Sequence, residues 1–292
     1  MKYTFASLLE RHRAEGEPLW RIFLSQEQEL TGRPKALILE NLNRRYEIMR
    51  YSAHRALDRA LPTAGNLITG CASTQYRYAG QGGICGGFLN AVMAYALSCS
   101  EANAAMEQIC ACPTAGSCGI VPAVLCAMEE QKGFSRQEIL HGLLVASGVG
   151  AIVMDNATVA GSEGGCQAEC GVAAAMAAAG AVQLMGGSAE QCCHGFSICV
   201  MNMMGLVCDP IAGLVQIPCA QRNASQAVNA LLSADLALAG MQCPVPPDEM
   251  VQALYQVGKA LPRELRETAL GGMAATQTAK QIERSVFGGL EK

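Results

Sequence analysis

Apolar residues recur every three or four positions along the first part of the chain, which is the spacing of one face of an α-helix. The clearest run is Ile38, Leu42, Met49, Ala53 and Leu57. Pro18 and Pro34 stand where helices commonly begin, and Pro62 is expected to end the helix that contains this run. We therefore predict that residues 1–62 form amphipathic N-terminal helices, which pack on a helical core of residues 63–292.

The middle of the chain is more apolar but keeps clear helix-start signals. Ser135 and Ser188 are each followed three residues later by Glu or Gln, the pattern of a capping box. Asp248 follows two prolines and is expected to cap the next helix, which Pro262 ends. Alternating β-branched residues, which are typical of strands, are hard to find. The predicted fold class is all-α, in a single helical domain.

Composition narrows the function classes. Hydrophobic residues make up 51% of the 292 residues but aromatic residues only 5%, so small side chains must fill the contacts between helices. The net charge of −4 offers no basic surface for a nucleic acid. The most apolar stretch, residues 171–186, is short and alanine-rich for a membrane span, and we expect a buried core helix there.

The chain has fifteen cysteines and only four histidines. Its N-terminus lacks an apolar run of signal-peptide length, so we expect a cytoplasmic protein with reduced thiols. No Cys-x-x-Cys pair occurs, which argues against zinc ribbons and thioredoxin-like sites. The glycine-rich residues 80–87 lack the third glycine of a dinucleotide-binding fingerprint, which favours a loop or a helix junction.

Three cysteines stand at predicted turns where they can bind a ligand. Cys166 lies among glycines in G-S-E-G-G-C-Q-A-E-C-G, at an expected loop-to-helix junction that would lower the pKa of its thiol. Cys208 precedes Asp-Pro and Cys219 follows Ile-Pro, which places both at the ends of helices. Three thiolates are too few to close a four-iron cluster, and one iron would stay open as a Lewis acid. Buried thiols without a metal are the alternative that spacing alone leaves open.

A second candidate site is C-P-T-A-G-S-C-G-I-V-P, residues 112–122. Thr114, Gly116 and Ser117 belong to a predicted turn whose free amides and hydroxyls suit a small carboxylate. A tight turn between two helices, without a ligand, accounts for the same residues equally well. His141 and His194 lie in apolar helices, where a histidine is more often a core residue than a catalytic base.

Long motifs around both candidate sites resemble the α chain of bacterial iron–sulfur L-serine dehydratases. They are A-C-P-T-A-G-S-C-G-I-V-P, G-S-E-G-G-C-Q-A-E-C-G and G-L-V-C-D-P-I-A-G-L-V-Q-I-P-C-A-Q-R-N-A, followed by A-L-P-R-E-L-R-E-T-A-L-G-G-M-A-A-T-Q-T. The motifs occur in the family's order and extend from about residue 101 to the end of the chain.

The resemblance implies an all-helical domain with a [4Fe–4S] cluster bound by Cys166, Cys208 and Cys219. In that family the open iron binds the hydroxyl of L-serine, the α-proton is removed and water leaves. The resulting aminoacrylate tautomerises and hydrolyses to pyruvate and ammonia, without pyridoxal phosphate. The family also works with a β domain that carries a serine- and histidine-containing motif. Since this motif is not found here, the resemblance implies a separate β subunit and leaves the catalytic base unidentified.

Two positions depart from the family pattern. The family's Gly-Gly-Asp segment corresponds here to G-N-L-I-T-G-C, without the aspartate. Met201 precedes Asn202 at a position where the family usually has lysine. These departures keep two alternatives beside an L-serine dehydratase: a β-eliminating lyase that acts on cysteine or another small amino acid, and a non-catalytic subunit or sensor that carries a cluster.

Overall fold

The computed structural model describes residues 3–288, and in this range it is built of α-helices joined by turns. The helices are α1 (Phe5–Glu15), α2 (Leu19–Thr31), α3 (Lys35–His54), α4 (Cys71–Ala79), α5 (Gly86–Ala104), α6 (Ile120–Lys132), α7 (Arg136–Asn156), α8 (Gly161–Gly164), α9 (Val172–Leu184), α10 (Ala189–Met203), α11 (Cys219–Leu238), α12 (Pro247–Ala260) and α13 (Gln277–Phe287). The described residues form no β-strand, only an isolated bridge between Cys208 and Arg266. The prediction of a single all-α domain is confirmed.

Helix α9 lies at the centre of the fold. Every residue of this helix except Gln183 is buried, and α6, α7, α10 and α11 pack around it. Small residues allow the close approach, because a Cβ on Gly180 would lie only 2.8 Å from the carbonyl oxygen of Gly142 in α7. The expected core helix at residues 171–186 is therefore confirmed.

Helix α7 is the one helix of residues 3–288 that is long and apolar enough to cross a membrane by length and composition. In the protein, 56% of its most apolar window is buried. Core helices of soluble proteins pass the same test, so this match is weak support for a membrane span.

Helices α1 to α3 pack on the rest of the chain through their apolar faces. The predicted face of α3, from Ile38 to Ala53, is buried, and α3 contacts α5 and α6. The ring of Phe5 in α1 lies 4.6 Å from that of Phe196 in α10. These residues belong to one continuous core with the later helices. The boundary at residue 62 stays a prediction.

Helix α3 ends at His54, and the expectation that it continues to Pro62 is wrong. Side chains of α5 bind the backbone amides beyond this point: Ala56 donates to Ser98 Oγ at 2.9 Å. Leu61 donates to the Glu101 carboxylate at 2.7 Å. The chain therefore leaves the helix because α5 offers these amides other acceptors.

Local signals in the sequence predict five other helix ends correctly: the starts of α2, α3, α7 and α10 and the end of α12. Both capping boxes form, with Ser135 and Ser188 accepting from the third helical residue. Pro18 and Pro34 are the N-caps of α2 and α3, and α12 ends two residues before Pro262. The glycine-rich residues 80–87 are the junction between α4 and α5, as expected.

Asp248 does not cap α12, contrary to the expectation from sequence. Helix α12 has Pro246 as its N-cap and no side-chain cap. The carboxylate of Asp248 instead accepts from the amides of Phe5 at 2.8 Å and Ala6 at 2.9 Å, in the first turn of α1. Asp248 therefore caps a helix that lies more than 240 residues earlier in the chain, because α1 and α12 pack together.

Candidate functional site

The three cysteines predicted to bind a cluster come from three separate segments. Cys166 immediately precedes a π-helical turn, Gln167–Gly171, that leads into α9. Cys208 lies in the segment after α10, and Cys219 is the first residue of α11. Cys166 and Cys208 are buried, and Cys219 is partly buried. Cysteines that lie 42 and 11 residues apart in the sequence are thus carried by segments next to α9, α10 and α11, and these three helices pack against one another.

Backbone contacts hold the first two segments side by side. The amide of Gln167 donates to the carbonyl oxygen of Leu206 at 3.1 Å. Gly165, with a φ of 75°, lies so close that a Cβ there would be 2.9 Å from the same oxygen. Glycine is required at this position both for its left-handed backbone and for the missing side chain. The turn that carries Cys166 is therefore bonded to the segment of Cys208, at a position two residues before that cysteine.

The backbone of Cys208 is held by residues near the end of the chain. Its amide donates to the Leu265 carbonyl and its carbonyl accepts from the amide of Glu267, both at 2.8 Å. Cys208 therefore lies in a backbone bridge rather than in the helix-end turn that was expected. Glu267 has a φ of 64°, a left-handed conformation that is unusual for a residue other than glycine. The ligand atoms of Glu169, Cys208 and Glu267 all lie within 4.8 Å of one another.

The thiols of the site affect one another electrostatically. A hydrogen bond from Cys170 and the nearby Arg222 guanidinium lower the pKa of Cys166, against the opposing effect of burial. The lowered pKa was expected, but its main cause is Cys170 rather than a helix N-terminus. Burial, and then the charge on Cys166, raise the pKa of Cys208 and that of Cys219, the latter to about 12. A positively charged group such as a metal centre would favour the deprotonated form of all three thiols.

The turn of Thr114, Gly116 and Ser117 lies against the cysteine site. Asn223 of α11 joins the two, because its amide donates to the Gly116 carbonyl at 2.7 Å and to the Cys219 carbonyl at 2.9 Å. A Cβ on Gly116 would lie 3.3 Å from both carboxylate oxygens of Glu169. The structure thus brings the two regions predicted from sequence to one place.

The two hydroxyls of this turn differ in their surroundings. Ser117 is fully buried, and its Oγ lies 3.1 Å from Thr114 Oγ1 and donates to the Cys112 carbonyl at 3.3 Å. Its hydroxyl is therefore engaged inside the turn. Thr114 is half-buried, so its hydroxyl is the more accessible of the two. The first amides of the 3-10 turn Ala115–Ser117 have no acceptor within the turn and can bind an anion.

Four further residues complete the site. Glu169 was noted in the sequence only as a polar residue that needs a partner; burial, and then the charge on Glu267, raise its pKa to about 7. Arg222 and Asn223 follow Cys219 in the Q-R-N motif, a signal that could have identified them. Glu267 has no such signal, because only the folded chain brings it to Cys208.

The two departures from the family pattern lie in different surroundings. Met201 is 52% exposed, and the neighbouring Asn202 bonds to Asn229 of α11 at 2.9 Å. The start of the segment without the aspartate is tied to the site. Gln216, three residues before Cys219, donates to the carbonyl of Ala64, the residue just before the segment, at 2.9 Å. The missing aspartate therefore concerns the site more directly than the missing lysine does.

An all-α fold around a buried, thiol-rich site defines a protein equipped to hold a metal cofactor. A family model described as serine dehydratase alpha chain matches residues 14–274. The chain is 45% identical over 285 residues to the L-serine dehydratase alpha chain of Peptoniphilus asaccharolyticus, with 97% of this chain and 98% of that protein covered. It is 40% identical over 269 residues to a probable L-serine dehydratase alpha chain of Bacillus subtilis, covering 92% and 89%. The chain belongs to the serine dehydratase alpha chain family.

A longer relative matches over part of its length. L-serine dehydratase TdcG of Escherichia coli is 43% identical over 182 residues, which cover 62% of this chain but only 40% of that protein. Most of the longer relative therefore lies outside the region that matches this chain.

Proposed function

We propose that this chain is the α subunit of an iron–sulfur L-serine dehydratase, which eliminates water from L-serine to give pyruvate and ammonia. One observation carries the proposal: the segments of Cys166, Cys208 and Cys219 meet beside the Thr114–Ser117 turn. Relatives that match nearly their whole length are named L-serine dehydratase alpha chains, which supports the same activity here.

A [4Fe–4S] cluster suits the donor atoms of the site. Thiolates are the usual ligands of such clusters, and three thiols from separate segments are available here. Glu169 and Glu267 also offer oxygen atoms near Cys208, but carboxylates favour harder cations. The proposal therefore gives the cluster to Cys166, Cys208 and Cys219, and leaves the two carboxylates free for substrate.

A cluster held by three thiolates supplies one iron that is open to a substrate hydroxyl and acts as a Lewis acid. The protein's own residues orient the amino acid around that position. The amides of the Thr114–Ser117 turn, including Gly116, suit the substrate carboxylate, and Glu169 and Glu267 suit its ammonium group. The burial of Cys166 and Cys208 limits the access of water on their side of the site, which strengthens these charge interactions.

The active enzyme in this proposal contains a separate β subunit. The relatives of matching length are named alpha chains, and the longer E. coli protein contains a large region outside the match. The base that removes the α-proton is not assigned to a residue of this chain and is to be sought in the complex. A cytoplasmic location fits the proposal, because free thiols stay reduced there.

Anaerobic iron and sulfide analysis with an absorption spectrum tests the cofactor. We expect about four irons and four sulfides per wild-type chain, the content of one such cluster. Changing Cys166, Cys208 or Cys219 to Ser should remove most of the iron. A colourless wild-type protein without iron, even after reconstitution, would contradict the proposal.

Two other cysteines serve as matched controls for these variants. Cys170 follows Cys166 by four residues and is also buried, with its sulfur 4.0 Å from the Gly116 carbonyl oxygen, and Cys170→Ser should keep the cluster. Cys126 is fully buried against Tyr46, away from the site, and Cys126→Ser should also keep it. Loss of iron in Cys170→Ser would instead identify Cys170 as a ligand.

A lyase that acts on cysteine or another small amino acid is the second candidate. The observation that favours it is the missing aspartate in the segment that Gln216 ties to the site. Parallel assays of serine and cysteine with the β subunit present separate the two activities. Turnover of neither substrate by a fully loaded αβ pair would indicate a non-catalytic, cluster-bearing subunit.

A further inference from the structure

Arg222 connects the segments of the cysteine ligands. It lies three residues after Cys219, on the first turn of α11. One guanidinium nitrogen donates to the carbonyl oxygen of Val207 at 2.8 Å, and another to the carboxylate of Asp209 at 2.9 Å. These two acceptors stand on either side of Cys208. A single side chain therefore fixes the backbone around one ligand from the helix that begins with another.

Both carboxylate oxygens of Asp209 take part in this arrangement. Its side chain is only 6% exposed, and the second carboxylate oxygen accepts from the amide of Met273 at 2.7 Å. The neighbouring Gly272, with a φ of 57°, leaves no room for a side chain beside the carboxylate. The carboxylate thus orients the guanidinium on one side and holds the C-terminal segment on the other.

The turn of the third proposed ligand, Cys166, is joined to the same stretch of backbone. The turn of Cys166 is bonded to Leu206, the residue next to Val207. The Arg222 guanidinium is therefore held beside the turn of Cys166, since Val207, whose carbonyl accepts from it, directly follows Leu206. Residues that orient the ligands of a metal centre, and charges near it, tune both the affinity for the metal and its reduction potential.

A contribution to the stability of the fold does not by itself explain why this ion pair is buried. The Arg222 side chain is 15% exposed and that of Asp209 is 6% exposed, so both charges lose most of their water. The cost of removing that water commonly cancels the attraction between the partners. A buried pair that fixes the backbone on both sides of Cys208, from the first turn of the helix that begins with Cys219, is better explained by what it does to the site.

We propose that Arg222, oriented by Asp209, is a positioning residue that holds the three cysteine segments in their cluster-binding arrangement and places a positive charge beside the cluster. The inference rests on the proposed iron–sulfur cluster and deepens it. It assigns the retention and the reduction potential of that cluster to an ion pair outside the ligand set. Lysine cannot replace arginine here, because an ammonium group lacks the planar fork that reaches two fixed acceptors at once.

The test compares Arg222→Gln, Arg222→Lys and Asp209→Asn with wild type after anaerobic reconstitution. The measurements are iron and sulfide per chain, the rate of iron loss to a chelator, and the reduction potential followed by electron paramagnetic resonance. We expect Arg222→Gln to lose iron roughly 10- to 100-fold faster, the usual effect of removing a partner of a metal ligand. Its potential should become more negative, because a positive charge near a cluster stabilises the reduced form. Arg222→Lys should keep the potential closer to wild type but still lose iron faster.

Arg136→Gln is the matched control, because Arg136 also forms a half-buried ion pair, with Glu129, and in the described part of the chain neither residue bonds to the three proposed ligands. This variant should keep wild-type iron loss and potential. Wild-type values in all three test variants would overturn the inference while leaving the proposed function intact. Thermal unfolding of the cluster-free chains separates a structural role: if all three variants fail to fold, the pair is only a structural brace and the inference is wrong. A wild-type chain that binds no iron would instead contradict the proposed function, and the inference with it.

Discussion

Gly116 has no side chain at a point where a methyl group would lie 3.3 Å from both carboxylate oxygens of Glu169. Its backbone conformation is open to alanine, so a substitution there adds bulk without backbone strain. We expect Gly116→Ala to push the turn and the carboxylate apart and to reduce kcat/KM for serine roughly tenfold, mainly through KM. Steady-state assays of the αβ complex, with a melting curve of each variant, check this.

Gly87→Ala is the matched control for that variant, because Gly87 lies on the exposed first turn of α5 with ordinary space around it. It should leave KM unchanged. Thr114→Val extends the comparison, since Thr114 is the half-buried hydroxyl of the turn. If neither Gly116→Ala nor Thr114→Val raises KM for serine, the turn does not bind the substrate carboxylate.

The buried carboxylate of Glu101 supports the chain where α3 has ended. It is fully buried and accepts from the amides of Leu61 at 2.7 Å, Gly70 at 2.9 Å and Ala72 at 3.3 Å. Glu101→Ala should lower the free energy of unfolding by on the order of 3 kcal/mol or more, since three buried amides lose a charged acceptor. Glu101→Gln should cost less, because one oxygen can still serve the two closer amides. Urea unfolding measures both, and equal losses would contradict this account.

Asp248 provides a test of how α1 is held. Asp248→Ala removes the acceptor of the Phe5 and Ala6 amides and should cost about 1 kcal/mol of unfolding free energy, the usual cost of a lost N-cap. Asp248→Asn keeps an acceptor and should cost less. Glu249→Ala is the control, because Glu249 shares the first turn of α12 but is exposed. An equal effect of Glu249→Ala would show that only the α12 dipole is affected.

The sequence predicts the helices well where the signal is local. A capping box such as Ser135 with Glu138 is complete within four residues, so later packing rarely alters it. The prediction for Asp248 was wrong because a carboxylate serves whichever free helix terminus is near, and only tertiary packing brings α1 to it. The early end of α3 has the same cause, since Glu101 and Ser98 capture amides from a different helix.

The functional site is harder to predict from sequence than the helices are, for the same reason. Motifs identify Cys166, Cys208 and Cys219 as candidates, but no spacing rule brings Glu267 to Cys208. That contact depends on two backbone hydrogen bonds between segments almost sixty residues apart. Site residues that belong to a motif can therefore be predicted from sequence, whereas residues that only the packing of the chain brings to the site cannot.

His141 makes the stability of the chain depend on pH. Its ring stacks on that of Trp20, with centroids 3.7 Å apart and planes 8° from parallel. Burial lowers the pKa of His141 below its ordinary value of 6.5, against the attraction of Glu138. The unfolded chain therefore binds a proton more readily than the folded one, so this contribution to stability is present above pH 6.5 and is lost as the pH falls below it.

His141→Phe keeps an aromatic ring but cannot titrate, and it should lose less stability than wild type between pH 7.5 and 5.5. Urea unfolding followed by the fluorescence of Trp20, the only tryptophan of the chain, measures the difference. A parallel decline of both proteins would show that other groups carry the pH dependence.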